Sequence, residues 1–209
     1  MNLRPSSPPR ALMVDVDGVV VRHPQGLRWD HDMQADLGLD GDLLQEQFFV
    51  PHFDDIAVGR ADLHERLAPV LAKIAPHLTP EVLTDYWFAK DACLDGALLD
   101  DLSGLRARGL ELHLATVQEH RRAAYLWTTL GLKDRFDAMH YAADYGLQKP
   151  DPAFFRAVAA RTGFAPAELV LIDDKPQNVD SARACGWGGV VWDGSLALER
   201  ALGEAGISL

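Results

Sequence analysis

The stretch from Ala11 to Val21, ALMVDVDGVVV, constrains this chain more than any other. Its apolar, β-branched composition is that of a strand buried on both faces of a parallel sheet. Two carboxylates, Asp15 and Asp17, interrupt it, and Gly18 follows at once. Taking an ionised carboxylate out of water costs on the order of several kcal/mol unless a partner compensates. Side chains two residues apart leave a strand on the same side, so the two charges add. Two readings follow. Either the acids open a loop and face water, or they hold a divalent cation at the carboxyl end of the strand, where open α/β sheets bind their ligands.

The pattern changes after that stretch. From Arg22 to about Asp95 the signals are helical, with no parallel strand among them. Short helices are expected over Asp30–Leu37, stopped at Gly38, and over Leu43–Phe49, stopped before Pro51. Asp62 and Glu65 have capping-box spacing. The stripe Leu63, Leu67, Val70, Leu71 and Ile74 continues as a helix, which Pro69 should kink or end near Ala68. Thr79-Pro80-Glu81 opens another helix, expected to run to about Ala92. From Leu98 helix and strand alternate, with strands over Leu110–Ala115, Ala138–Tyr141, Leu169–Ile172 and Gly189–Trp192. Helices are expected between them over Leu98–Arg108, His120–Leu130, Pro152–Arg161 and Val179–Ala184. That alternation implies right-handed crossovers and a parallel sheet.

The strand ends carry the chemistry: Asp15 and Asp17, then Thr116, then Lys149 in the loop QKPDP, then Asp173 and Asp174. Singly, Lys149 reads as a solvated loop lysine, Thr116 as a strand-end hydroxyl, and Asp173-Asp174 as turn caps. Parallel strands bring their carboxyl ends to one edge, so these residues converge. Hard oxygen ligands favour magnesium. A lysine offsets the charge of a phosphate and of neighbouring acids, and a hydroxyl can donate to phosphate oxygens.

The ordered set DVDGVV (Asp15–Val20), LAT (Leu114–Thr116), QKPDP (Gln148–Pro152) and LIDD (Leu171–Asp174) resembles the haloacid dehalogenase-like hydrolase superfamily. The likeness runs from about Ala11 to Asp193. It points to the branch with a helical cap and to its phosphatases, including sugar-phosphate phosphatases and the N-terminal domain of soluble epoxide hydrolases. The fold it implies is α/β: a Rossmann-like parallel-sheet core over residues 11–21 and 96–209, with a small helical cap over residues 22–95 inserted after the first strand.

The resemblance also implies roles. Asp15 is the nucleophile that forms an aspartyl-phosphate, and Asp17 is general acid and then base. Thr116 and Lys149 hold the transferring phosphoryl group. Magnesium sits on Asp15, the backbone carbonyl of Asp17, and Asp174, with Asp173 ligating directly or through water. Asn178 helps to orient the lysine. Dehalogenases of the family lack an acid at the position of Asp17, so its presence favours phosphate chemistry. Many relatives have Asn after the second motif's hydroxyl residue; Val117 stands there in this chain, which leaves substrate preference open.

The expected activity is a magnesium-dependent phosphomonoesterase acting on a small phosphorylated metabolite such as a sugar phosphate. The alternatives are a phosphotransferase or mutase sharing the intermediate, a haloacid dehalogenase, and a non-catalytic interaction module. A net charge of -11 disfavours nucleic acid and anionic membranes. No apolar run approaches the roughly 18 residues of a membrane span, and MNLRPSSPPR lacks the apolar segment of a signal peptide. That opening reads as a disordered or extended tail. Cys93 and Cys185 read as buried free thiols in a reducing cytoplasm. His113 is expected to be structural and His120 to start a helix. Trp29, Phe48, Phe49, Phe53 and Trp87 form the cap's core, with one or two of them, and His23 or His52, available to substrate. Composition leaves the oligomeric state open.

Overall fold

β1 (Ala11–Val14) is the central strand of a five-stranded parallel sheet, of order β3-β2-β1-β4-β5. The others are β2 (Glu111–Thr116), β3 (Ala138–Tyr141), β4 (Leu169–Asp173) and β5 (Gly188–Val191). The structure is a computed structural model that describes residues 9–23 and 26–209. The reading of an extended tail falls mostly on residues 1–8, outside the described residues.

The apolar runs are explained by cover on both faces. Leu12, Val14, Leu112, Leu114, Val170 and Ile172 enter one buried cluster, while Ala11, Met13, Ala115, Leu169 and Leu171 enter another. Alternate residues of the same strands thus face opposite layers. The first layer includes α6 (Gly96–Ala107) and α11 (Leu198–Glu204); the second includes α9 (Pro152–Thr162) and α10 (Pro176–Ala184). Strand order runs outward from β1 through β2 to β3, then resumes on the other side with β4 and β5. The reversal leaves a crevice between the carboxyl ends of β1 and β4, the usual ligand position in such sheets. Val14 is level with Leu114 and Ile172, so Asp15 and Asp173 stand side by side one step beyond.

The first strand is shorter than its composition suggests. It ends at Val14, and Val16–Val21 form a turn closed by Val21 N–H donating to Val16 O at 2.8 Å. Burial of Val16, Val19, Val20 and Val21, rather than membership of the five-stranded sheet, accounts for their apolar character.

The helical segment contains α1 (Met33–Leu37), α2 (Gly41–Leu44), α3 (Val50–Ala57), α4 (Leu63–Ile74) and α5 (Pro80–Lys90). Two proline expectations fail. The helix begun by α2 does not stop before Pro51; it passes through a π-helical turn, Gln45–Phe49, into α3. Proline lacks an N–H and its ring crowds the carbonyl four residues back, and the wider turn relieves both. α4 likewise runs unbroken through Pro69. Pro69 lies on the exposed face, where water can serve the carbonyl left without a donor, while Leu63, Leu67 and Leu71 pin the opposite face. Asp62 caps α4 by accepting from the N–H groups of His64 and Glu65, without a reciprocal bond from Glu65 among the described residues. The helix opened by Thr79 ends at Lys90 rather than Ala92.

Aromatic side chains of this segment pack on one another. Trp29 stacks on Trp87 at 5.4 Å, and Phe49 lies edge-on to Trp87 at 5.3 Å. Where the chain leaves and rejoins the sheet region, the two passages pair. Arg22 N–H donates to Cys93 O, and Asp95 N–H to Val20 O, both at 2.9 Å. The thiols depart from expectation: both are free, but Cys93 is exposed and Cys185 only half-buried. Cys93 is fixed by this backbone pairing, so its side chain needs no core position. No helix among the described residues is long and apolar enough to cross a membrane.

Candidate active site

Asp15 is 5% exposed. Its Oδ1 accepts the N–H of Val16 at 2.7 Å, and its Oδ2 lies 2.9 Å from Lys149 Nζ. The same ammonium meets Asp173 Oδ2 at 2.5 Å. Lys149 reaches this point from a loop that is pinned immediately after it. Ser181 Oγ donates to Pro150 O at 2.6 Å, and Asp151 caps α9 through the N–H of Ala153.

Asp173 is fully buried and fully engaged. Its Oδ1 accepts from Lys175 N–H and from the Asn178 amide, each at 2.9 Å. Its Oδ2 takes Lys149 and Asn178. Asn178 therefore acts on Lys149 only through Asp173, rather than by touching the lysine. Asp174 differs: its Oδ1 is buried without a hydrogen-bond partner. Gly18, at φ +82°, makes room for it, since a Cβ there would lie 2.6 Å from Asp174 Oδ2.

Acids outnumber cations here, and the titrations follow. Burial pushes Asp15 up to about 7, with Lys149 opposing and the Asp173 and Asp17 carboxylates adding to the rise. Burial alone would lower Lys149, but Asp15 and Asp173 outweigh it and hold the ammonium above the ordinary lysine range. Asp174 is raised chiefly by burial. Asp17 is raised by the protein atoms crowded around it and by Asp91, against Arg122 and the Gln118 amide, although the residue keeps an exposed edge.

One carboxylate oxygen from each of Asp15, Asp173 and Asp174 can lie within 4.8 Å of the others. Hard donors with one unpartnered buried oxygen fit a divalent cation of the magnesium or calcium type. The side chain of Asp17 is outside that trio. It turns to Gln118, whose Nε2 donates to Asp17 Oδ2 at 2.7 Å. Thr116, fully buried, is 3.4 Å from the same nitrogen. Sequence reasoning misses Gln118; the one signal for it is its position two residues beyond the strand-end threonine.

A cleft of about 560 Å³ opens beside these groups, with Asp17, Gly18, His23, Asp91, Asp174 and Trp192 on its wall. His23 Nε2 bonds Asp91 at 2.7 Å. Buried Arg122 holds Asp91 by an ion pair and reaches the carbonyls of Phe88 and Asp91. Trp29 lines an adjoining hollow that also includes His23, and His52 packs near Phe48. His120 opens its short helix, His120–Ala124, as expected.

The family model for a haloacid dehalogenase-like hydrolase matches residues 9–186. The chain belongs to the haloacid dehalogenase-like hydrolases. Among curated members, it is 29% identical to a phosphoglycolate phosphatase of Rhodospirillum rubrum, over 85% of this chain and 77% of that one. It is 36% identical to flavin mononucleotide hydrolase 1 of Arabidopsis thaliana over a shorter stretch, 31% of this chain and 26% of that enzyme. In fold it is similar to a family enzyme from Bacteroides thetaiotaomicron solved with magnesium and inorganic phosphate, at TM-score 0.75 and 18% identity over 92% of this chain and 98% of that one. It is also similar to the L-2-haloacid dehalogenase of Xanthobacter autotrophicus, at TM-score 0.61 and 20% identity over 96% and 85%. The parallel sheet with helices on both faces is thus that of this hydrolase family, and the chain is an enzyme of it.

Proposed function

We propose that the protein is a magnesium-dependent phosphomonoester hydrolase acting on a small phosphorylated metabolite, through an aspartyl-phosphate on Asp15. The observation that carries the reading is the charge imbalance at the sheet edge. Asp15 and Asp173 share Lys149, Asp174 adds a third acid beside them, and one oxygen of Asp174 stays unpartnered. A binding surface has no use for that arrangement. A cation and a phosphoryl group together complete it. The phosphatase relatives aligned over most of the chain support the same class.

In this reading an oxygen of Asp15 attacks phosphorus as the bond to the leaving oxygen breaks. Asp17 passes its proton to that oxygen, releasing an alcohol. Asp17 then takes a proton from water as water attacks phosphorus, and the bond to Asp15 breaks to give inorganic phosphate. Thr116 and Lys149 hold phosphoryl oxygens throughout, and Asn178 fixes Asp173, which steadies Lys149. Magnesium, held by Asp15, Asp174 and the backbone carbonyl of Asp17, with Asp173 reaching it directly or through water, would draw off negative charge from the phosphoryl group.

Residues 22–95 form the cap that covers the site and excludes water. Its aromatic cluster keeps it a unit, and its passages back to the core place His23 and Asp91 beside Asp17. Sugar phosphates suit a cleft lined by carboxylates and an imidazole better than wholly apolar esters do. The free thiols and acidic surface support a cytoplasmic setting. A dehalogenase has no need for Asp17 or for the unpartnered oxygen of Asp174. A mutase would share every step up to the intermediate.

The test is phosphate release from a panel of sugar phosphates and simpler phosphomonoesters, with and without magnesium, by the native chain and by Asp15→Asn. Release that requires magnesium and disappears in Asp15→Asn is the expected result. Undiminished turnover by the variant would remove Asp15 as nucleophile, and isomer formation without phosphate release would establish the mutase.

A further inference from the structure

Asp17 has two oxygens, and the reaction above requires one of them to carry a proton toward the leaving group. We propose that Gln118 is the positioning residue that settles which one, and that it aims the hydroxyl of Thr116 at the same time; the inference rests on the phosphatase reading of the site.

Gln118 is only 5% exposed. It is anchored by its own backbone, whose carbonyl accepts the N–H of Ala143 at 3.2 Å at the start of α8 (Ala142–Tyr145). From there its side chain crosses to Asp17, a residue 101 positions away, and Nε2 donates to Oδ2 at 2.7 Å. An amide nitrogen has two hydrogens. The second points to Thr116 Oγ1 at the longer distance of 3.4 Å.

Both contacts have a direction. A carboxyl oxygen that already accepts an N–H in the plane of the group is a poor seat for a proton. With Oδ2 engaged, Oδ1 is the oxygen that carries the proton and delivers it. A hydroxyl that accepts at its lone pair keeps its hydrogen free to donate, so Thr116 is left to bind a phosphoryl oxygen rather than turn back to its own chain. The residue between Thr116 and Gln118 is Val117, which has no polar group to offer either side chain. The amide comes from Gln118 and faces the acid.

The consequence is specific to the leaving group. An alkoxide cannot depart without a proton, whereas p-nitrophenolate is stable enough to leave without one. Loss of a group that only positions the acid therefore has a signature that general damage lacks. The experiment compares the native chain with Gln118→Met, which keeps the unbranched bulk and removes the donor, on alkyl phosphates and on p-nitrophenyl phosphate. The expected result is a loss in kcat/KM of roughly 30-fold on the alkyl esters, smaller than the about 10²–10⁴-fold that a general acid–base group itself contributes, because Gln118 positions the acid without being it. On the aryl ester the loss in kcat/KM, which reads the steps up to departure of the leaving group and not the later attack of water that also uses Asp17, should stay within a few-fold. Gln118→His, which restores a donor, should recover part of the alkyl activity. Equal losses on both esters, or none on either, would overturn the role of Gln118 while the native enzyme's turnover keeps the phosphatase reading intact. A native chain inert toward every ester, with magnesium present, would overturn both.

Discussion

Two polar clusters are buried in this sheet, and they are built on opposite terms. At the carboxyl edge, three acids face one lysine and an oxygen of Asp174 has no partner. Elsewhere, His113 of β2 and His140 of β3 stack with ring centres 5.3 Å apart in a chain with every nitrogen engaged. His113 Nε2 meets Glu111 at 3.1 Å, His113 Nδ1 meets His140 Nε2 at 3.0 Å, and His140 Nδ1 meets the Tyr145 hydroxyl at 2.7 Å. The carboxylate of Glu111 can only accept, so His113 donates to it. His113 Nδ1 then accepts from His140, and His140 Nδ1 accepts from the Tyr145 hydroxyl. Every ring nitrogen then has a partner and no valence is left over. Burial sets Tyr145 at about 12, a lasting donor. The lesson is that burial of polar groups does not mark function by itself. An unpartnered carboxylate oxygen among other acids does, unlike the uncharged and equally unpartnered indole nitrogens of Trp87, Trp187 and Trp192, and His113 is structural, as its sequence suggests.

Removing the ammonium should open the widest gap between the clusters. Lys149→Met leaves Asp15 and Asp173 buried against each other, and breaking a buried pair by deleting one partner costs about 3–5 kcal/mol. Denaturant unfolding of the metal-free variant should show a loss of that size. A loss under about 1 kcal/mol would mean that the acids had found other relief.

The two clusters should also respond to acid in opposite senses. Burial, His113 and Arg161 lower His140 to about 4, with Asp144 opposing. The unfolded chain thus binds its proton first, and the stability His140 gives above pH ~6.5 is lost as pH falls toward 4. Asp15, raised to about 7, does the reverse: the folded chain binds its proton first, so stability is lost as pH rises from about 4 through 7. Each contribution is of the order of 3–4 kcal/mol, because every tenfold change in proton affinity is worth about 1.4 kcal/mol. In chelator-treated protein between pH 7 and 5, His140→Phe should show stability rising on acidification, and Asp15→Asn should show it falling more steeply than in the native chain. Parallel slopes in the two variants would erase the contrast.

Magnesium gives the smallest of the expected effects. At a hundredfold excess over its dissociation constant a ligand adds about 2.7 kcal/mol, or roughly 5–11 °C in Tm for a chain of this size. Asp174→Asn should abolish most of that gain and leave the pH behaviour of His140 unchanged. A full gain in the variant would place the ion elsewhere.

What could be read from the sequence was what strands dictate. Apolar runs ending in Asp15, Thr116 and Asp173 declare their own ends, and parallel pairing then brings those ends together. Lys149 came from a motif, and the loop geometry bears out its convergence on Asp15. Gln118, Arg122 and Asp91 were not legible, because their meaning lies in partners far along the chain. Gln118 is a plain polar residue until Asp17 lies opposite. Arg122 looks like a surface residue on a helix until its guanidinium reaches the end of α5. Pro51 and Pro69 misled for a local reason. Proline's penalty falls on one carbonyl, and a π-turn or an exposed face can absorb it without ending the helix.

The pairing of Val20–Arg22 with Cys93–Asp95 has a consequence for how such chains change over time. The helical segment leaves and returns at neighbouring points, so to the sheet it is a loop whose ends are already tied. The entropy of closing such a loop grows only slowly with its length. Insertions, deletions or outright replacement of the segment need not disturb the register that sets Asp15 beside Asp173. The segment whose length the sheet constrains least is joined to the catalytic edge by a short two-stranded seam.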